Sequence, residues 1–340
     1  MEAYLYERLE ENKVRCILCH HRCLINNGQR GKCQVRRNED GVLHTLVYGR
    51  IIARNVDPIE KKPMFHFLPG SRSYSIATVG CNFRCLFCQN ADIAQMPRDR
   101  EGLIMGRDFA PEAIVAEALK HDCRSIAYTY TEPTVFFEFA FDTAKQAHAK
   151  NIKNIFVTNG YMSREALDII APYLDGANVD LKAFNDKYYK KQCGGRLEPV
   201  KETLRRMREL DIVFEITTLI IPGLNDDAEE LRSLADFIVA ELGPQTPWHI
   251  SRFHPTYRLT DRPPTPVKTL QKAREIGHQA GLHYVYVGNV PGEVGESTMC
   301  HRCGAMLIER SGFYVHRNRI VDDRCPECKT PVYGFGMSGC

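Results

Sequence analysis

Residues 73–90 read SYSIATVGCNFRCLFCQN, a β-branched run that stops at Gly80 and opens into Cys81-x3-Cys85-x2-Cys88. A short apolar run closed by glycine reads as a buried strand leading into a loop. The loop carries three thiols and no nearby fourth. A structural zinc site wants four ligands, and a cubane iron–sulfur cluster that only passes electrons also takes four cysteines. Three therefore imply an iron with one open position, while a zinc ion completed by a remote histidine stands as the alternative. Phe83, Leu86 and Phe87, interleaved with the cysteines, would supply an apolar shell that limits water.

Outward from this loop, strand-like and helix-like stretches alternate. SYSIATVG is followed by PEAIVAEALKH, SIAYTY, PTVFFEFAFDTAKQAHAK, NIFVTNG, SREALDIIAPYL and ANVDLK. EPVKETLRRMREL, IVFEITTLII, DAEELRSLADFIVAEL, WHISRF, VKTLQKAREIGHQAG and YVYVGN complete the series. Such alternation predicts parallel strands joined by right-handed crossovers, an α/β fold of six or seven units forming an open or partial barrel. Ligands in such folds sit at the carboxyl ends of the strands. Residues just past the strands include Thr131 and Glu132, Thr158, Asn159 and Gly160, Asp180 and Lys182, then Pro222, Gly223 and Asn225. Ordinary turn preference would also place several of them there.

The sequence divides into a Cys-rich segment at 1–72, the barrel at 73–290 and a Gly-rich tail at 291–340. Within the first segment HTLVYGRIIARNV, centred on Gly49, reads as a hairpin. The chain has 340 residues, 44% hydrophobic and 26% charged, enough apolar content for a sizeable core. Its formal charge of +3, from 45 basic and 42 acidic residues, argues against general nucleic-acid or anionic-membrane binding. The start MEAYLYERLEENK lacks a basic n-region and apolar h-region, and no apolar run is long enough to span a bilayer. A cytoplasmic, reducing setting is expected, in which tight cysteine groups are metal ligands before they are disulfides.

With its aromatic residue before the last cysteine, the loop opening an α/β barrel resembles the radical SAM superfamily over residues 73–290. The resemblance implies that Cys81, Cys85 and Cys88 hold three irons of a [4Fe-4S] cluster while S-adenosylmethionine chelates the fourth. One electron then cleaves the sulfonium, and a 5'-deoxyadenosyl radical abstracts hydrogen from a substrate. YTYTEPT (128–134) resembles the segment that meets the methionyl amino group, through Thr131 and Glu132. VTNG, with Thr158 and Asn159, and VDLK, with Asp180 and Lys182, resemble loops that face the methionyl carboxylate and ribose in the activating-enzyme branch. LIIPGLND (219–226), with Pro222, resembles the strand and turn near the adenine, which YVGNVPG (286–292) would close from the other side. Phe87 flanks the cluster, and His254, after WHISRF, is a candidate to face the cofactor. Val157 stands where glycyl-radical activating enzymes often have an acidic residue, a departure that speaks against a monovalent cation at Asp180.

The longer pattern is similar to the radical SAM protein of the AmmeMemoRadiSam group, a relative of pyruvate formate-lyase activating enzymes. CILCHHRC with GKC, YGRIIARNVDPIEKKPMFHFLPGS, the central loop and a terminal double CxxC carry that likeness. It implies a flavodoxin or ferredoxin reductant and either a protein substrate, with the companion proteins of that system as candidates, or a small molecule.

Two further cysteine groups flank the barrel. Cys300-x2-Cys303-x21-Cys325-x2-Cys328 has the spacing of a closed zinc site around a β ribbon, with a rubredoxin-like iron second. From Glu296 onward 6 basic residues face 5 acidic ones, so the ribbon has no nucleic-acid footprint. Cys16-x2-Cys19-x3-Cys23-x9-Cys33 reads either as a second zinc site or as an auxiliary iron–sulfur cluster, because ligand softness does not separate them. The scarcity of apolar residues in the segment favours zinc. Cys123, Cys193 and Cys340 stand alone, and Cys193 in KQCGGR is the one to watch for redox chemistry. The reading is a radical SAM enzyme of unidentified substrate, set against a non-catalytic scaffold in which every metal site is structural.

Overall fold

The computed structural model describes residues 1–290 and 295–338; Cys340 and part of the 286–292 stretch lie outside them. Eight strands form one sheet: β1 (Ala53–Pro58), β2 (Arg72–Ala77), β3 (Ser125–Tyr128), β4 (Lys153–Thr158), β5 (Gly176–Asp180), β6 (Val213–Ile220), β7 (Trp248–Arg252) and β8 (Val285–Gly288). Strands β2 to β8 are parallel and lie side by side in chain order. The helices between them are α1 (Pro111–Lys120), α2 (Phe137–Ala149), α3 (Arg164–Ile170), α4 (Leu197–Glu209), α5 (Ala228–Phe237) and α6 (Val267–Ala280). Right-handed crossovers in unbroken order put every helix on the same face. The sheet therefore curls with its other face inward, and β1 and β8, unpaired with each other, leave the barrel open.

Local chemistry explains the boundaries. Ser163 caps α3 by accepting from the Ala166 amide, and Asp227 caps α5 by accepting from Glu229 and Glu230. In α4 the buried Val200, Thr203, Leu204 and Met207 follow helical spacing while arginines and glutamates cover the outside. SIAY of β3 is buried at all four positions, as a parallel strand covered on both faces requires.

The sheet begins earlier than the sequence suggested. β1 pairs antiparallel with β2 from Ala53 to Pro58, inside the segment assigned to the Cys-rich region. The hairpin expected around Gly49 is absent: Arg50–Ile51 pair with Arg107–Asp108 instead. The physical reason is that β1 has a six-residue ladder on β2, more than a hairpin across Gly49 could offer. The rest of the N-terminal region is a three-stranded sheet, Tyr6–Arg8, Val14–Cys16 and Leu24–Ile25, and a hairpin, Arg36–Glu39 with Val42–Thr45. The tail is an antiparallel sheet of Thr298–Met299, Met306–Ser311 and Tyr314–Asn318. Leu307, Ile308 and Ile320 of the tail pack on Phe65, Tyr284 and Tyr286. No helix among the described residues is long and apolar enough to cross a membrane.

Candidate functional site

The carboxyl ends of the parallel strands surround a cavity of ≈ 620 Å³, within the usual size of a small-molecule site. Cys81, Cys85 and Cys88 line it from the β2 loop, opposite Thr131, Glu132, Thr158, Asn159, Asp180 and Lys182 from the loops after β3, β4 and β5. The loop is pinned at several points. Gly80 has φ +101°, and a Cβ there would come within 2.6 Å of Val35, so only glycine lets the chain turn this close to the N-terminal region. The Arg84 and Leu86 amides donate to the carbonyls of Cys193 and Gln192, at 2.8 and 3.0 Å. The Phe83 amide donates to Cys81 Sγ at 3.4 Å, and Asn159 Nδ2 approaches the same sulfur at 3.8 Å.

Sequence spacing gave no sign that Cys193 lies beside this loop. Its thiol hydrogen-bonds Cys85, yet it does not line the cavity. Among the described residues three cysteines face the cavity and a fourth backs one of them. Burial pushes the Cys81 thiol well above its usual pKa and that of Cys88 up to about 12. The hydrogen bond from Cys193 lowers Cys85. A bound metal would have to displace these protons. Three thiols open to a ligand-sized space are the donor set that a cubane with one free iron requires.

Glu132 is the hub of the opposite wall. It is 2% exposed, and its Oε1 accepts from the Thr134 amide and hydroxyl and from Thr158 Oγ1, at 3.0, 2.6 and 2.7 Å. Its Oε2 accepts from the Asn159 amide at 2.8 Å. This carboxylate therefore ties the β3 and β4 loops together. Thr131 spends its hydroxyl on the Thr78 carbonyl at 2.9 Å. Lys182 Nζ lies 2.8 Å from Asp180; burial works against its charge, but Asp180 and then Cys85 and Cys193 outweigh it and raise its pKa. Asn225 of LIIPGLND donates to the carbonyls of Lys182 and Leu219, at 2.7 and 2.9 Å, and so sets the Lys182 backbone. Phe87 lines the cavity with its ring 5.9 Å from the Lys182 ammonium, and Val157 is also on the wall.

Two expected residues fall outside. His254 is exposed and does not line the cavity, because β7 ends at Arg252 and the chain has already turned outward. His249, on β7 itself, is on the wall and bonds Glu215 at 2.7 Å. Pro222 is also off the wall, its carbonyl taken by Arg262 at 3.0 Å. Residues missed by the sequence reading include Lys62, held by Asp57 at 2.6 Å, and Glu296 and Phe313 of the tail. Nothing but tertiary packing brings these to the site.

The outer cysteines differ in geometry. The ligand atoms of Cys300, Cys303, Cys325 and Cys328 all lie within 4.8 Å of one another, with Cys300–Cys328 at 3.6 Å and Cys303–Cys325 at 3.7 Å. Zinc–sulfur bonds of about 2.3 Å in a tetrahedron put sulfurs roughly 3.8 Å apart, so this set can hold such an ion. Cys16, Cys19, Cys23 and Cys33 line a second, small cavity.

The Radical SAM superfamily model matches residues 75–238. The uncharacterized protein MJ0808 of Methanocaldococcus jannaschii is 47% identical over 332 residues, 96% of this chain and 97% of that one. Pyruvate formate-lyase 1-activating enzyme of Escherichia coli K12 is 24% identical over 166 residues, 46% of this chain and 65% of that one. In fold, Streptococcus suis SuiB, solved with its precursor peptide SuiA, aligns with a TM-score of 0.52 at 14% identity, over 69% of this chain and 52% of SuiB. The family match centred on the barrel, joined to the three-cysteine cavity at its mouth, places this chain in the radical SAM superfamily, distantly related to the pyruvate formate-lyase activating enzymes.

Proposed function

We propose that this protein is a radical SAM enzyme that holds a [4Fe-4S] cluster on Cys81, Cys85 and Cys88 and S-adenosylmethionine in the adjoining cavity. One observation carries the reading: three thiols, and among the described residues no fourth, face a ≈ 620 Å³ space at the strand ends. Bound there, the cluster and cofactor supply one-electron cleavage of the sulfonium and a 5'-deoxyadenosyl radical that removes hydrogen from a substrate. The chain's own residues bind, orient and exclude water. Lys182 offers its ammonium to the methionyl carboxylate and Asp180 its carboxylate to the ribose. Glu132 fixes the Asn159 and Thr158 loop, and the buried Phe83 and Phe87 shield the cysteines.

Distant likeness to activating enzymes supports a protein or peptide substrate, with small-molecule modification as the other arm. The full-length pattern supports the AmmeMemoRadiSam group, whose companion proteins are the first substrates to try, and a flavodoxin or ferredoxin as reductant. The C-terminal four thiols are assigned to structural zinc. We place the protein in the cytoplasm, a reducing compartment in which tight cysteine groups serve as metal ligands before they form disulfides.

Anaerobic protein reconstituted with iron and sulfide, then given dithionite and S-adenosylmethionine, should release 5'-deoxyadenosine, and Cys85→Ala should not. Equal yields from the two proteins, or zinc at every site and no iron, would instead favour the metal-binding scaffold.

A further inference from the structure

We infer that Cys16, Cys19, Cys23 and Cys33 hold a second [4Fe-4S] cluster, ligated by all four thiolates, with Arg36 and Asn82 donating hydrogen bonds to its sulfurs. Three observations lead there. First, among the described residues the C-terminal four are the one group of ligand atoms that converges within 4.8 Å. The N-terminal sulfurs stand further apart, as they must when a cubane puts its own irons and sulfides between them, and not as they would around one zinc ion. They surround a residual cavity of ≈ 20 Å³, space that a tetrahedral zinc site closes.

Second, the cavity wall carries donors with nothing to donate to. Arg36 is 1% exposed, and its Nε and Nη1 have no partner, its Nη2 alone being bonded to Glu138 at 2.6 Å. Asn82 is 3% exposed with its Nδ2 unpartnered. Both line this cavity. Buried donors left unmade are costly, and three such nitrogens around four thiols fit an anionic, sulfur-rich group. Third, the reason for preferring zinc fails in the fold. The apolar shield that the segment lacks is supplied from outside it by Val135, joined by Leu18 and Ile25.

The location gives the site a neighbour. Asn82 follows Cys81 in the chain, its backbone carbonyl contacts a His21 ring nitrogen at 2.9 Å, and its Oδ1 accepts from Asn159 at 2.7 Å. One side chain thus lines the N-terminal cavity while bonded to a residue of the central one. The inference does not depend on the central reading, because none of its observations uses Cys81, Cys85 or Cys88.

The test is metal analysis of the full chain with Cys81, Cys85 and Cys88 all changed to alanine, purified and reconstituted without oxygen. It should keep about four irons and about four acid-labile sulfides per chain, with an EPR signal on reduction. Adding Cys16→Ser and Cys33→Ser should remove all iron while the zinc of the tail stays, showing that the chain is still folded. In the unmutated central background the same two substitutions should lower iron from about eight to about four per chain. Two zinc ions and no iron in the triple-alanine protein would overturn the inference, as would unchanged iron in the Cys16→Ser, Cys33→Ser protein. Loss of all iron in that last protein would instead count against the central cluster.

Discussion

Glu132→Gln isolates the carboxylate that ties the β3 and β4 loops together on the wall of the central cavity. Glutamine keeps an oxygen for the three donors on Oε1 but turns an NH2 toward the Asn159 amide, which now donates at 2.8 Å to Oε2. Two donors then face each other. An orphaned buried amide costs about 1–3 kcal/mol, and losing the charge weakens each remaining bond by roughly 1 kcal/mol. Against this, a neutral amide is easier to bury than a carboxylate, whose pKa is raised by that burial. The balance expected is about 2 kcal/mol, and about 3–5 kcal/mol for Glu132→Ala, which strands every donor. Asn159 and Thr158 move with it, so S-adenosylmethionine should bind about tenfold more weakly, which is about 1.4 kcal/mol. Urea unfolding and calorimetric titration of the reconstituted protein measure the two effects. Thr134→Val is the control: it removes one donor that does not line the central cavity, so stability should fall by about 1 kcal/mol with affinity unchanged. If Glu132→Gln matches the parent in both assays, Glu132 is not a charged acceptor and the argument from its four bonds is wrong.

Lys182→Met removes the partner of Asp180 and should raise the KM for S-adenosylmethionine about tenfold with a smaller effect on kcat; an unchanged KM would take Lys182 out of the binding wall. Gly195→Ala puts a Cβ 2.4 Å from Phe83 Cε1, an overpacking worth about 1–3 kcal/mol. Because Phe83 sits inside the cysteine loop, iron retention after gel filtration should fall too, and full retention would show that the loop yields freely. One contribution to the pH dependence comes from His66, which burial first of all holds at a pKa of about 4, below its ordinary 6.5, and His21 adds a shift of the same sign. Below pH 6.5 the unfolded chain takes up at His66 a proton that the folded chain refuses, so this contribution to stability falls from pH 6.5 down to about 4, at up to about 1.4 kcal/mol per unit. His66→Gln should flatten that limb relative to the parent; parallel curves would mean that His66 is protonated without penalty.

What could be read in the sequence was what local spacing encodes. Alternating runs such as SIAY and NIFVTNG give parallel strands because buried strands are continuously apolar, and topology then sends Thr131, Asn159 and Lys182 to one end. What could not be read depends on packing across long separations. Cys193 meets Cys85 only after the chain between them has made three crossovers. The choice of His249 over His254 turns on where β7 ends, a boundary that the apolar pattern of WHISRF blurs. The first sheet strand hid in a polar stretch, ARNVDP, because an edge strand can keep one face wet.

The three cysteine groups show the same limit in their chemistry. Spacing separates a set of three from sets of four, and with it an open site from a closed one. It does not separate zinc from a cubane, since thiolates suit both. That choice lies in how far apart the fold holds the sulfurs and in what surrounds them. At the C-terminus the sulfurs converge to 3.6 and 3.7 Å. The tail they close is wedged against the barrel by Arg310, which donates to the Phe65 carbonyl at 2.8 Å and to Thr298 at 2.7 Å. Since Phe65 and the tail's Phe313 both line the central cavity, a metal ion held by these four sulfurs would, by ordering the tail, also shape one wall of the central cavity.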